Sequence, residues 1–376
     1  MSKSNRIIFV ALYCSALWLA FDLVYSNAIV PTNTKAEPTS RAKSVIFHHG
    51  LQPNFDGIEG WGPFRYRFAT NNLGFRDETV RDVPMHFDGR RIILIGDSFT
   101  EGPGLPFEKT FAGMLALSPS ARQNKTEVLN AGVVSYSPVI YYKKIKHLLD
   151  SGVRFDEVVA FPDISDVQDE ATSYFCIDED VKYRQYCRED SSHEISRSKL
   201  LSNFVVTHRV QSLAKNAIVQ WRGGHAAKVM HRLPRSGWTI PGFDVGNHYA
   251  PLGMEGGITR GLQNMQLLGN LLKSRGISLQ LVVYPWPMQL AKDDRTSRHV
   301  AMWRDFCARN CRDFINLFPT FFNEKDMHSD WYERLFIVGD VHFSAEGNKL
   351  VFRAVAKRLI PGHDAGVGDR SQADGN

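Results

Sequence analysis

The sequence predicts an α/β fold, a three-layer α/β/α sandwich on a mostly parallel sheet, from three observations. The run Arg91-Ile92-Ile93-Leu94-Ile95 is apolar and β-branched and stops at Gly96, as a strand buried on both faces of a parallel sheet does. Four further short runs follow it, Glu127 to Val133, Glu157 to Phe161, Ser278 to Val283 and Phe314 to Leu317. Helical patterns separate them: Pro106 to Leu117, Ser137 to Ser151, Gly257 to Ser274, Thr296 to Cys307 and a closing Ser344 to Leu359. An alternating βαβα order puts helices on both faces of one sheet.

Each element has local punctuation. Ser137-Pro138 supplies a helix cap followed by a first-turn proline. Ser344 and Gly347 stand at the start of the closing helix. Before the first parallel strand, Tyr66 to Asp77 reads as a short strand and a turn, and residues 31–60, rich in Pro, Thr, Ser and Gly, as an extended linker. His48 and His49 in that stretch read as loop residues packed on the domain.

At 376 residues the chain can bury a large core. Its net charge of +5 is mild and scattered. No zinc-finger spacing, aromatic-basic motif or long basic block occurs, which argues against a nucleic-acid partner.

The amino terminus differs from the rest. After Lys3 and Arg6, Ile7 to Phe21 is fifteen residues without a charge, followed by Asp22 and apolar residues to Val30. Residues 1–30 therefore read as a targeting segment, a signal anchor in the inner membrane in preference to a cleaved signal peptide. This reading places the remainder outside the cytoplasm. Cysteine usage points the same way: Cys176 with Cys187 and Cys307 with Cys311 are candidate disulfides of an oxidising compartment, with no histidine near for zinc.

The expected domains are a linker and arm over 31–70, a catalytic-type domain over 71–360, and a tail over 361–376 of disordered composition. Residues 170–256 fit no strand-helix pair and read as a helical insertion or lid. It carries apolar residues at helical spacing from Leu200 to Trp221 and basic ones including Arg209, Lys215, Arg222, Lys228, Arg232 and Arg235. A solvated accessory helix is the competing reading. Trp221, Trp238 and Trp286 are candidates for stacking on sugar rings or for core packing.

The chemistry falls at the carboxyl ends of successive strands, where open α/β sheets place their ligands. Gly96-Asp97-Ser98 comes first, Asn130-Ala131-Gly132 second, and Asp163-Ile164-Ser165-Asp166 third, with Gly339-Asp340-Val341-His342 before the last helix. A nucleophilic serine needs a base within hydrogen-bond reach, and the base needs a partner that fixes its tautomer. Asp340 and His342, two residues apart, project to one side of extended backbone, so Asp340 can hold Nδ1 of His342 while Nε2 faces Ser98. The amides of Ser98 and Gly132 are candidate oxyanion donors.

These blocks resemble the SGNH or GDSL hydrolases over roughly Asn71 to Leu359. Ile95 to Gly102 resembles the family's first block, with Ser98 as nucleophile and oxyanion donor. Asn130-Ala131-Gly132 resembles the second, with Gly132 as donor, and Asp340 with His342 resembles the last. The resemblance implies a flavodoxin-like sandwich and an esterase or acyl-transfer activity that needs no cofactor or metal. The third block departs from the family's Gly-x-Asn-Asp: Ser165, a third candidate oxyanion donor with a shorter arm, stands where the asparagine donor is expected, with Asp163 beside it. The acid also stands two residues before the histidine instead of three. Exported, membrane-anchored relatives look similar in using Asp-x-His, and Asn71 to Arg76 resembles their preface. The implied function is an exported serine esterase acting on an acyl group of a glycan or cell-envelope molecule. An O-acyltransferase supplied by a membrane acyl-donor protein and a catalytically silent glycan-binding module are the alternatives.

Overall fold

A computed structural model describes residues 3–25, 39–177, 232–360 and 362. The chain divides into two compact units. Apart from Tyr25 and Thr39, the described part of the first is one helix, α1 (Lys3–Val24). The expected membrane span is not supported, because no helix among the described residues is long and apolar enough to cross a membrane. The run between Arg6 and Asp22 is five residues short of the roughly 20 that a span requires.

In the second unit, eight strands form one sheet in the order β10-β9-β8-β6-β7-β5-β4-β3. Its core is five parallel strands: β6 (Arg90–Gly96), β7 (Thr126–Asn130), β8 (Glu157–Phe161), β9 (Ser278–Val283) and β10 (Asp313–Asn316). Numbered among themselves, these five run 2-1-3-4-5, the flavodoxin-like order. The predicted mostly parallel sheet is therefore present, with strand ends within two or three residues of those read from the sequence. β6 is central and flanked on both edges, which is why Ile92, Ile93, Leu94 and Ile95 are all fully buried. At about 1.5–3 kcal/mol per side chain, that run alone stabilises the sheet by roughly 6–12 kcal/mol relative to exposure.

Helices cover both faces. α4 (Pro138–Asp150) and α5 (Asp166–Thr172) pack on α6 (Gly253–Ser274), which also meets α7 (Arg298–Asn310). α3 (Phe111–Ala116) packs against the closing helix α8 (Ala345–Leu359). The single helix expected from Pro106 is split at Thr110, whose side chain caps α3 by accepting from Gly113 N at 3.0 Å. Glu170, expected to open an insertion, belongs to the framework instead. Its buried carboxylate accepts from Ser137 Oγ at 2.7 Å, Val139 N at 2.8 Å and Asn264 Nδ2 at 2.9 Å. It thereby ties the first turn of α4 to α6.

The expected linker is strand instead. β1 (Arg41–Ser44) and β2 (His48–Leu51) form an antiparallel hairpin. β3 (Asp56–Trp61), β4 (Phe64–Thr70) and the short β5 (Arg76–Asp77) extend the main sheet antiparallel beyond β7. β3 alternates between exposed and half-buried residues, so it has no apolar run for a sequence reading to find.

Cys307 and Cys311 are joined as expected. Cys176 is also disulfide-bonded; Cys187, its expected partner, lies outside the described residues. So do most of the expected insertion, including Leu200 to Trp221 with Arg209, Lys215, Arg222 and Lys228, and the tail beyond Gly362.

Candidate active site

Ser98 stands at the carboxyl end of the central strand. β6 stops at Gly96, and a single helical turn, α2 (Ser98–Glu101), lies directly over it. A Cβ at Gly96 would sit 2.2 Å from Thr100 Oγ1, so only glycine lets the turn fold back this closely. Asp97 caps the turn by accepting from Phe99 N at 2.9 Å. Gly102, in the left-handed region at φ 82°, ends it by donating to Ser98 O.

Asp340 and His342 arrive from the loop before α8. Asp340 N donates to Ile337 O and Ile337 N to His342 O, which makes a tight turn with Gly339 at φ 77°. A turn with positive φ at its third position calls for glycine. This geometry explains the Asp-x-His spacing: position 339 is the turn residue, and 340 and 342 sit on the segment that returns to the isolated bridge between Phe336 and Phe343. The Tyr332 hydroxyl braces the loop, accepting from Gly339 N at 2.9 Å and donating to Asp340 O at 3.0 Å.

The three predicted residues meet. His342 Nε2 is 2.8 Å from Ser98 Oγ, and Nδ1 is 2.7 Å from Asp340 Oδ1. Burial alone would raise the Asp340 pKa, but hydrogen bonding to and the charge of His342, with help from Trp61, hold it well below the usual carboxylate range. Asp340 is thus an acceptor, so Nδ1 of His342 carries the proton and Nε2 is left as the base toward Ser98.

Trp61 was missed by the sequence reading. Its Nε1 donates to Asp340 Oδ2 at 2.8 Å, and its ring stands edge-on to His342 with centroids 5.0 Å apart. It reaches the site because β3 extends the sheet on that side. Nothing in the local sequence of an alternating, half-exposed strand marks it.

Behind the serine lies a buried carboxylate cluster. Ser98 Oγ is also 3.1 Å from Asp97 Oδ2. Burial first, and then the negative charge of Asp163, push Asp97 well above its ordinary pKa. Asp97 Oδ1 already accepts from Phe99 N and, at 3.3 Å, Tyr284 OH. That leaves Oδ2 facing Ser98 Oγ, so Asp97 and His342 Nε2 flank the serine hydroxyl as its two acceptors. Asp166 is likewise pushed well up, by burial and by Asp163.

The expected oxyanion donors are arranged differently. Gly132 N donates to Asn130 Oδ1 at 3.1 Å, and a Cβ there would lie 2.6 Å from Thr100 Cβ. Its role in this structure is to let the second strand end close against α2. Ser165 turns away from a donor role, since its N and Oγ both donate to Asp163 Oδ1, at 2.8 and 2.6 Å. Asp163 Oδ2 takes Trp286 Nε1 at 2.7 Å. Ser98 N remains, at the start of a helical turn whose first amides have no partner within it. Trp286 and Trp238 are buried, with Trp238 Nε1 on Ile164 O, so core packing is their role. Trp221 lies outside the described residues.

Beside Trp61 opens a pocket of about 660 Å³, lined also by Arg41, His48, His49, Tyr174 and Arg235. The two histidines are hydrogen-bonded, Nδ1 to Nδ1 at 2.6 Å, and His49 Nε2 is 2.7 Å from Val134 O. Because a carbonyl only accepts, His49 carries its proton on Nε2. Burial lowers both histidine pKa values, His48 to about 4. Among the described residues no group of three His, Cys, Asp or Glu side chains could hold a metal ion.

No family model matches the chain, and no curated protein matches it. Solved structures similar to it include a member of the lipolytic protein G-D-S-L family from Veillonella parvula DSM 2008. That likeness has 12% identity, 72% of this chain, 98% of the other and a TM-score of 0.40. An acetylxylan esterase from Geobacillus stearothermophilus is similar at 13% identity over 74% of this chain and 96% of its own, TM-score 0.39. An alpha/beta hydrolase enzyme from the metagenome of Lake Arreo, Spain, is similar at 12% identity over 72% and 95%, TM-score 0.38.

Proposed function

We propose that this protein is a serine esterase of the SGNH/GDSL type. The observation that carries the reading is the continuous chain Ser98 Oγ, His342 and Asp340, at 2.8 and 2.7 Å, at the carboxyl end of a central parallel strand. Ser98 Oγ attacks the ester carbonyl carbon as its proton passes to His342 Nε2. The tetrahedral intermediate collapses, the alkoxide leaves with the proton from His342, and an acyl-Ser98 remains. Water, deprotonated by His342, then attacks the acyl carbon, and the acid leaves as Ser98 regains its proton. Asp340 holds the imidazolium through both halves, and Ser98 N is the donor placed for the oxyanion.

An acyl group on a glycan is the substrate class that the pocket beside Trp61 supports, since it combines aromatic rings with arginine and imidazole side chains. The disulfide bonds support an oxidising, extracytoplasmic location. Hydrolysis of p-nitrophenyl acetate tests the chemistry: the native protein turns it over, and Ser98→Ala loses at least about 10³-fold in kcat. Equal rates in the two proteins would refute the esterase. The internal pairing of Gly132 N and Ser165 Oγ favours a second reading, a glycan-binding module without turnover. That reading predicts no Ser98-dependent hydrolysis and unimpaired binding of acetylated oligosaccharide. If esters are cleaved, adding a sugar acceptor separates hydrolase from acyltransferase, because only the latter forms acylated sugar.

A further inference from the structure

A second cavity, of about 560 Å³, lies between the β1–β2 hairpin and α4 and shares no lining residue with the pocket beside Trp61. Its wall is mostly apolar, with Val45, Leu51, Leu73, Met85, Leu148 and Val153. Its charged and titratable groups are Lys43, Lys144 and His147, and no aspartate or glutamate lines it.

Lys144 is the unusual member. It comes from the middle of α4 and is 3% exposed, yet its ammonium makes no ion pair or hydrogen bond among the described residues. It sits 4.3 Å from the Phe47 ring centroid and 5.2 Å from that of Phe75. A cation–π contact offsets only part of the cost of burying an ammonium. The imbalance shows in its pKa, which burial alone pushes down to about 7. A buried cation without a counter-ion, at the wall of an acid-free apolar cavity, lacks one partner: an anion carried on an apolar body.

We propose that this cavity binds an amphiphilic carboxylate, such as a free fatty acid, with the carboxylate on Lys144 and the chain along Leu73, Met85 and Leu148. The cavity falls within the range of about 300–1,000 Å³ typical of small-molecule sites. Lys43 adds positive potential at the same wall. The site is independent of the esterase reading. Its hairpin wall also carries Arg41, which pairs with Glu101 at the end of the nucleophile turn, so the two regions share a structural element.

Calorimetric titration of the full-length protein with sodium dodecanoate below its micelle concentration tests this at pH 7. The expected result is saturable 1:1 binding, at least tenfold weaker for dodecanol and for acetate, and at least tenfold weaker in Lys144→Met. Absence of saturable binding, equal affinity for dodecanol, or unchanged affinity in Lys144→Met each overturns the proposal. If Lys144→Met does not fold, the 13Cε resonance of Lys144 in the native protein replaces it. An ammonium that gains a carboxylate becomes harder to deprotonate, so dodecanoate must raise the Lys144 midpoint by at least one pH unit; an unchanged midpoint overturns the site. His49, His147, Lys43 and the Tyr136 hydroxyl face the same region, and their resonances separate their titrations from that of Lys144.

Discussion

Trp61 Nε1 donates to Asp340 Oδ2 at 2.8 Å, across 279 positions of sequence. With His342 on Oδ1, the carboxylate is held on both oxygens, so the acid and the base are oriented together. A charge-assisted hydrogen bond of this kind contributes about 1.5–3 kcal/mol. Trp61→Phe keeps the ring beside His342 and removes only the donor. Its kcat on a p-nitrophenyl ester should fall about 10–100-fold with little change in KM, and a kcat within twofold of native would remove Trp61 from the catalytic apparatus.

Glu101 is fully buried at the end of the nucleophile turn, and Arg41 holds both of its oxygens at 2.6 Å. Burial alone would raise the Glu101 pKa, but the charge and hydrogen bonds of Arg41 lower it below the ordinary value. Removing one partner of a buried pair leaves an uncompensated charge, at a cost of about 3–5 kcal/mol when both are inside. Arg41 is a third exposed and Arg76 stands near, so about 2 kcal/mol is the expected loss for Arg41→Leu in urea unfolding. Adding Glu101→Gln should recover most of that loss, and no recovery would show that the pair does not act as a unit.

Asp166 lies in the buried carboxylate cluster with its pKa well up, and its Oδ1 has no partner. A carboxyl with a raised folded pKa binds more protons folded than unfolded, so its contribution to stability falls as pH rises from its unfolded pKa toward the folded one. Asp169, pushed up to about 6, acts in the same direction between about pH 4 and 6. Asp166→Asn mimics the neutral acid at every pH. Thermal scans should show a Tm a few degrees above native at pH 7.5 and no gain at pH 4; a variant less stable than native at both values would contradict this assignment.

The five parallel strands were legible because Ile92 to Ile95, Val158 to Phe161 and Leu279 to Val283 are apolar without a break. Ser98, Asp340 and His342 were legible because each follows a recognisable strand end or precedes a capped helix. The role of Ser165 was misread, since whether a short side chain faces a ligand or folds onto its own turn depends on the φ and ψ angles that place it near Asp163 Oδ1. The strands between Arg41 and Trp61 were read as linker for a related reason. Their stability comes from partners distant in sequence, such as Glu101 and Asp340, and from little apolar periodicity of their own. Trp61 was invisible for that reason too.

The turn Ile337 to Asp340 gives a backbone prediction. Gly339 holds φ 77°, where a Cβ costs about 1–2 kcal/mol. Gly339→Ala should lower stability by that amount in chemical denaturation. It should lower kcat at least tenfold, because Asp340 and His342 hang from the same turn. Loss of stability with kcat unchanged would separate the turn from the catalytic geometry.

The central claim is that His342 activates Ser98 for covalent catalysis. Intact-mass and peptide mapping after treatment with a fluorophosphonate measures this directly. The expected result is a single phosphonyl adduct on Ser98, absent in Ser98→Ala and formed at least about 10³-fold more slowly in His342→Ala. An unlabelled Ser98 in the folded native protein, or labelling at the same rate without His342, would contradict the account.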